Sequence, residues 1–182
     1  NYFYPDNPQN YQISQLYQPI ARNGYVEIEV GDTKKKVRIH EMHMEEDAGK
    51  LVHDEWDDTS IVDFNRSGVP LVEIVSEPDF RSIEEVDAYL KKLKSILEYI
   101  QISDCKMQEG SFRADVNVSV RKKGATEFGT RTEMKNMNSF RSIVRAINYE
   151  AERQVEVIEN GGTITQETLR WDDVSGKTFP MR

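Results

Sequence analysis

The chain has 182 residues, 37% hydrophobic and 31% charged, with 24 Lys plus Arg against 32 Asp plus Glu and a net charge of −8. That length supports one sizeable core and hardly two, and the acidic balance argues against a chain that coats nucleic acid by itself, though it leaves room for a local basic patch. One Cys and three His exclude a disulfide framework and an all-N/S zinc site, and no run of about 18 apolar residues is present to span a membrane.

Residues 1–24 are rich in Tyr, Asn, Gln and Pro and read as loop and short strand, punctuated by Asn7-Pro8 and Asn23-Gly24. They have neither the basic start nor the apolar stretch of a signal peptide, and the missing initiator Met suggests a processed or truncated chain. Residues 25–30 alternate as a strand, and Gly31-Asp32 turns the chain into a second strand at 36–47. On that strand Val37, Ile39, Glu41, His43, Glu45 and Asp47 share one face, which begins apolar and ends acidic. Residues 48–69 read as a long polar connection with a turn at Gly68, and 70–77 as the next strand.

Ser82 and Glu85 form a capping-box pattern, and Ile83, Val86, Leu90, Leu93, Leu97 and Ile100 then make one apolar helical stripe. That stripe is core packing and carries no chemistry. From 106 to 121 the period returns to two, with Phe112, Ala114, Val116, Val118 and Val120 opposite Arg113, Asp115, Asn117 and Ser119. Residues 127–136 look like the partner strand, on which Arg131, Glu133 and Lys135 share a face. A second helix is expected over 139–160, with stripe Phe140, Ile143, Val144, Ile147, Ala151, Val155 and Ile158, ended by Gly161-Gly162. A closing hairpin around Ser175-Gly176 completes the chain. The class is α+β, a mainly antiparallel sheet flanked by two long helices, with no internal repeat and no convincing domain boundary.

Two segments carry carboxylates where strands usually carry apolar groups: His43-Met44-Glu45-Glu46-Asp47 and Leu71-Val72-Glu73-Ile74-Val75-Ser76-Glu77-Pro78-Asp79. Two such charges about 4 Å apart repel by roughly 4 kcal/mol at an effective dielectric near 20. A fold that gathers them usually holds a hard cation, and Mg²⁺ is the natural one; a solvated acidic edge would show the same letters. The face of Arg113, Asp115 and Asn117, extended by Lys135-Asn136, holds the parts of a phosphoryl-transfer site, where catalysis is mostly positioning and charge neutralisation. It could equally face plain water. Neither Gly-x-x-x-x-Gly-Lys-Ser/Thr nor Gly-x-Gly-x-x-Gly occurs, so bound ATP would lie on a sheet, gripped by side chains and metal. Cys105 has no His near it in sequence and reads as an ordinary thiol.

Taken in order, several segments resemble one family. They are Tyr2-Phe3-Tyr4-Pro5-Asp6-Asn7-Pro8, Tyr11-Gln12-Ile13-Ser14-Gln15, His43-Met44-Glu45-Glu46-Asp47-Ala48-Gly49-Lys50 and 63–79, with Glu109-Gly110-Ser111-Phe112-Arg113-Ala114-Asp115-Val116-Asn117-Val118-Ser119 and Lys135-Asn136-Met137-Asn138-Ser139-Phe140. The resemblance is to the B subunit of the aspartyl/glutamyl-tRNA amidotransferase, a heterotrimer in which it joins an A subunit and a C subunit, and it runs along essentially the whole chain. It implies a glutamine synthetase-like cradle sheet. It also implies a cytoplasmic ligase that uses ATP and Mg²⁺ to phosphorylate the side-chain carboxylate of Asp-tRNA(Asn) or Glu-tRNA(Gln). Ammonia channelled from the A subunit, which is the glutaminase, then displaces the phosphate.

By matching position, Glu45 and Glu73 look like the Mg²⁺ ligands, Glu46 like an acid at the channel mouth that takes a proton from ammonium, and Tyr2 like a channel-lining residue. Arg113, Asp115, Asn117 and Lys135 are assigned to the ATP phosphates or the activated carboxylate, with Arg113 and Lys135 acting catalytically; this rests on the face argument as much as on the resemblance. The chain, read as one domain over 1–182, corresponds to the middle of the family's full-length protein. The family's first strand, which supplies a Glu and a His to the metal site, and its helical and tail domains fall outside it, so the chain alone is expected to be inactive. Two other readings remain: a non-catalytic scaffold that docks the glutaminase and guides the channel, and a ligase acting on a free amino acid.

Overall fold

The computed structural model describes residues 4–8, 11, 17–54 and 56–181. The fold is α+β, with largely antiparallel sheets and two long helices. Residues group into two compact units, Asn1–Glu27 with Lys35–Asp79, and Ile28–Lys34 with Phe80–Arg182.

The first unit is built on the three-stranded order β1-β2-β5, with β1 at Ala21–Val30, β2 at Thr33–Glu46 and β5 at Pro70–Ser76. Alternation along β2 is clean: Val37, Glu41 and His43 are buried and Arg38, His40 and Met44 exposed. β2 and β5 run antiparallel with His43 opposite Glu73 and Glu45 opposite Leu71, after a register shift between Ile39 and Glu41. The edge of this pairing is clamped by Asp79. Its carboxylate accepts from the Arg38 backbone N–H at 2.9 Å and from the Arg38 guanidinium Nε and Nη2 at 2.9 and 2.6 Å. Asp47, buried just past β2, accepts from the Ala48 amide and pairs with Arg66 at 3.2 Å.

Between them, residues 48–69 are not the plain connection expected from sequence. They contain an antiparallel hairpin of β3 (Lys50–His53) and β4 (Ser60–Asp63), in register from Lys50–Asp63 to His53–Ser60. Four-residue strands with an acidic tip give too short an alternation to stand out.

The second unit begins with α1 (Ile83–Tyr99), whose N-cap is Ser82. The Ser82 hydroxyl accepts from the Glu85 N–H, while the Glu85 carboxylate reaches back to the Arg81 amide, one residue earlier than a standard capping box. Tyr89, Leu90 and Leu93 are the buried part of its stripe, and Ile100 is exposed. The expected strand at 106–121 is cut to β6 (Val116–Val118), preceded by a 3₁₀ turn at Met107–Glu109 that ends on Gly110 at φ 75°. Local side-chain bonds explain this: Ser111 Oγ accepts from the Lys106 amide and donates to Asp104, offering the backbone an alternative to a ladder.

A four-stranded sheet follows in the order β6-β7-β8-β9, with β7 at Thr132–Lys135, β8 at Thr168–Asp172 and β9 at Lys177–Pro180. β7 and β8 are parallel, joined by the crossover helix α2 (Phe140–Glu159), and the other two pairs are antiparallel. Met134, Leu169, Trp171, Ile143 and Ala146 are buried here.

The stripe expected on α2 is corrected by the structure. Its buried residues are Ser142, Ile143, Ala146, Glu150 and Gln154, while Val155 and Ile158 are 43% and 45% exposed. Glu150 occupies a core position because its charge is fully serviced. Its carboxylate accepts from Thr132 at 2.7 Å, from Arg153 twice at 2.8 Å and from Gln154 at 3.1 Å. Among the described residues no helix is long and apolar enough to cross a membrane.

Candidate functional site

β2 presents Glu41, His43 and Glu45 on one face, and the β2–β5 register sets Glu73 opposite His43. The imidazole is the hub of the resulting cluster. His43 Nδ1 lies 2.9 Å from Glu41, and Nε2 lies 2.9 Å from Glu45 and 3.3 Å from Glu73. His43 and Glu41 are buried, Glu45 is nearly so, and Glu73 is half-exposed at the edge. Burial pushes the imidazole towards neutrality, but the carboxylates of Glu45, Glu41 and Glu73 outweigh it and raise its pKa above the ordinary histidine value.

Ligand atoms of His43, Glu45 and Glu73 all lie within 4.8 Å of one another. Around an octahedral ion with bonds of about 2.1 Å, ligand atoms sit roughly 3.0 Å apart in cis and 4.2 Å in trans, so a small side-chain adjustment would seat a cation between them. Among the described residues Glu41 Oε2 is buried without a hydrogen-bond partner, which marks this pocket as short of positive charge. The residues therefore fit a divalent ion. Two carboxylates suit Mg²⁺, and the imidazole would be tolerated better by Mn²⁺ or Zn²⁺. Glu46 belongs to the opposite face of β2 by alternation and pairs in register with Pro70, away from this cluster. Sequence reading placed Glu45 and Glu73 together but gave no role to Glu41 or His43; the shared face of β2 was the signal that could have found them. Tyr2 lies outside the described residues.

In the second unit, Arg113, Asp115 and Asn117 are exposed along one side of the β6 segment. Lys135, half-buried on β7, reaches Asp115 at 2.5 Å and Glu133 at 3.5 Å. Burial lowers its pKa and those two carboxylates more than reverse it, so the ammonium stays charged. Asn117 stands opposite Glu133 in register and, with Arg131, Gln166, Glu167 and Thr168, lines an open polar cleft of about 310 Å³. Asn136 has φ 70° and donates its amide to the Trp171 carbonyl, turning the chain sharply after Lys135. The structure thus gathers Lys135, Asp115 and Asn117 on neighbouring strands, with Arg113 preceding them. This is an arrangement of donors and acceptors suited to a polar ligand. Cys105 is buried as a free thiol.

The profile of the GatB/GatE catalytic domain matches residues 1–182. Curated relatives from Agathobacter rectalis, Lachnoclostridium phytofermentans and Caldicellulosiruptor bescii, each named as the B subunit of aspartyl/glutamyl-tRNA(Asn/Gln) amidotransferase, are 68%, 66% and 64% identical to it over 182 residues. Each alignment takes in all of this chain and 38% of the relative, so the chain spans well under half the length of the proteins it matches. With a full-length profile match and identities of this size, the chain belongs to the GatB/GatE catalytic domain family.

Proposed function

We propose that this chain is the catalytic part of a cytoplasmic tRNA-dependent amidotransferase subunit that activates the side-chain carboxylate of Asp or Glu on a mischarged tRNA. One ATP oxygen–phosphorus bond breaks, and the γ-phosphoryl passes to the carboxylate oxygen, leaving ADP. Ammonia supplied by a glutaminase subunit then forms the C–N bond as phosphate departs. The observation that carries this reading is the convergence of Glu45 and Glu73 beside His43 in a chain of this family.

Mg²⁺ bound by Glu45 and Glu73 would supply neutralising charge to the phosphate oxygens. Glu41 orients His43, whose imidazole reaches Glu45 and Glu73 and would hold those ligands in place. Glu46 is assigned the proton lost when ammonium becomes ammonia. In the second unit, taken by itself, Lys135, kept charged by Asp115 and Glu133, and Arg113 are assigned to phosphate or the activated carboxylate, with Asn117 as an orienting amide. The glutaminase and the third, C-type member of the heterotrimer complete the assembly in this reading.

The test uses the full-length subunit in its complex. Glu73→Gln is expected to abolish ATP-dependent formation of amidated tRNA and to weaken Mg²⁺ binding, measured by calorimetry, by at least tenfold, while glutamine hydrolysis in the glutaminase continues. Full transamidation by that variant would remove Glu73 from the metal site and the mechanism with it.

A further inference from the structure

On a chain of net charge −8, one loop of the second unit runs against the trend. Residues 121–128 read Arg-Lys-Lys-Gly-Ala-Thr-Glu-Phe, three cations against the single acid Glu127, and every one of them is exposed. Phe128 keeps 54% of its surface in solvent. Two guanidinium groups lie against its ring, Arg121 at 5.0 Å and Arg81 at 5.5 Å from the centroid. An exposed aromatic ring attended by arginines, with two further lysines in the same loop, is the composition of a surface that stacks bases and neutralises phosphates.

The loop is also held in shape. Arg121 donates to the Thr126 carbonyl at 2.7 Å, and the Ala125 amide to the Lys122 carbonyl at 3.0 Å. Gly124 turns the tip at φ 86°, where side chains are strained. At the base, Gly129 packs so closely on Val120 that an added Cβ would stand 2.2 Å from the Val120 carbonyl oxygen. A loop fixed in these ways presents its ring and charges without first having to order them.

We infer that this loop binds single-stranded RNA, namely the unpaired 3′ end of the tRNA substrate, with Phe128 and its two arginines as a stacking platform and Lys122 and Lys123 on phosphates. The inference rests on the tRNA-dependent function proposed above. Charge complementarity selects the occupant: a cationic, aromatic face on an otherwise acidic chain suits a polyanion with flat bases.

The experiment measures equilibrium binding of labelled tRNA to the full-length subunit in its complex, in EDTA and without ATP, with intact tRNA and with the same tRNA trimmed of its unpaired 3′ nucleotides. Phe128→Ala is expected to weaken intact tRNA by on the order of tenfold and to leave the trimmed tRNA unchanged. Lys122→Gln with Lys123→Gln should flatten the plot of log affinity against log salt by roughly 0.7 per lost phosphate contact. Wild-type affinity and salt slope in both variants would overturn the inference. So would equal weakening of trimmed and intact tRNA, or normal tRNA binding with impaired assembly, which would assign the loop to a protein partner. Because binding is read without metal or ATP, failure of the Glu73→Gln test would leave this measurement interpretable, and failure here would leave the metal site standing.

Discussion

Glu150 offers the sharpest test of how this structure holds its strands. Its side chain is fully buried and its carboxylate collects the Thr132 hydroxyl of β7, the Gln154 amide and two guanidinium bonds from Arg153, with Thr178 of β9 at 3.4 Å. Gln154 extends the network to the Val118 carbonyl of β6. One acid thus ties α2 to three strands of the sheet, two of which carry Asn117 and Lys135. Glu150→Gln keeps the volume but turns one acceptor into a donor facing a guanidinium. Breaking a buried pair by removing one partner costs about 3–5 kcal/mol. Arg153 is 29% exposed and can recover water, so the lower figure, about 3 kcal/mol, applies here. Hydrogen exchange across α2 in the full-length subunit should then show local opening enhanced by roughly 100-fold at pH 7. The sign with pH is fixed. Burial raises the Glu150 pKa, but the bonds from Arg153, Thr132 and Gln154 bring it below the ordinary carboxylate value. A depressed acid stabilises fully above its unfolded pKa and loses that contribution as pH falls through the folded one, so the gap between wild type and variant narrows in acid. Protection of α2 within a factor of two of wild type at pH 7 would refute the reasoning, since it would mean that the network carries no net charge energy.

Two further substitutions probe other joints. Asp79→Asn removes the negative charge and one of the two acceptor oxygens facing Arg38, whose guanidinium and hydrogen bonds hold the Asp79 carboxyl down at about 2. Because Arg38 is 65% exposed, solvent screening limits the expected loss to about 1 kcal/mol; it is present above pH ~4, vanishes as pH falls toward 2, and is read by urea denaturation at pH 7 and pH 3. Gly129→Ala places a methyl against backbone rather than against a movable side chain. The strand entry must therefore shift at a cost of roughly 1–3 kcal/mol, with tRNA affinity falling in parallel if the 121–128 loop is displaced; an unchanged melting profile would show that the close approach relaxes freely.

What the sequence disclosed follows the range of the forces involved. Alternation along β2 and the two helical periods are local, and they located the face of Glu41, His43 and Glu45 and the spans of α1 and α2 within a residue or two. Glu73 could be read as an acid on a strand, but its position opposite His43 depends on a cross-strand register about thirty residues long in sequence, which no local period encodes. The 106–121 segment kept its alternation of burial yet lost most of its ladder, because Asp104, Lys106 and Ser111 offered the backbone nearer partners. On α2 the polar residues Glu150 and Gln154 displaced Val155 and Ile158 from the buried face. Their partners Thr132 and Val118 come from distant strands, so a periodicity argument had no means of crediting them.

The two buried acids invite a comparison that bears on function. Glu150 receives at least one donor on each oxygen, and a single arginine balances its charge. Around His43, by contrast, three carboxylates share one imidazole, which offers at most two N–H donors. Among the described residues Glu41 Oε2 is left buried without a partner. A structural ion pair of the first kind is balanced in charge, the orphan atom in its network being the neutral Gln154 Oε1. In the second, Glu41 and Glu45 alone exceed the single charge of even a doubly protonated ring, in a place where burial makes that excess costly. Folding alone would not favour keeping such a deficit within a strand pair, whereas a divalent ion shared by Glu45 and Glu73 would remove it. The difference in charge balance between the two sites, more than the presence of acids in either, is what supports the proposal of a cation at the β2–β5 face.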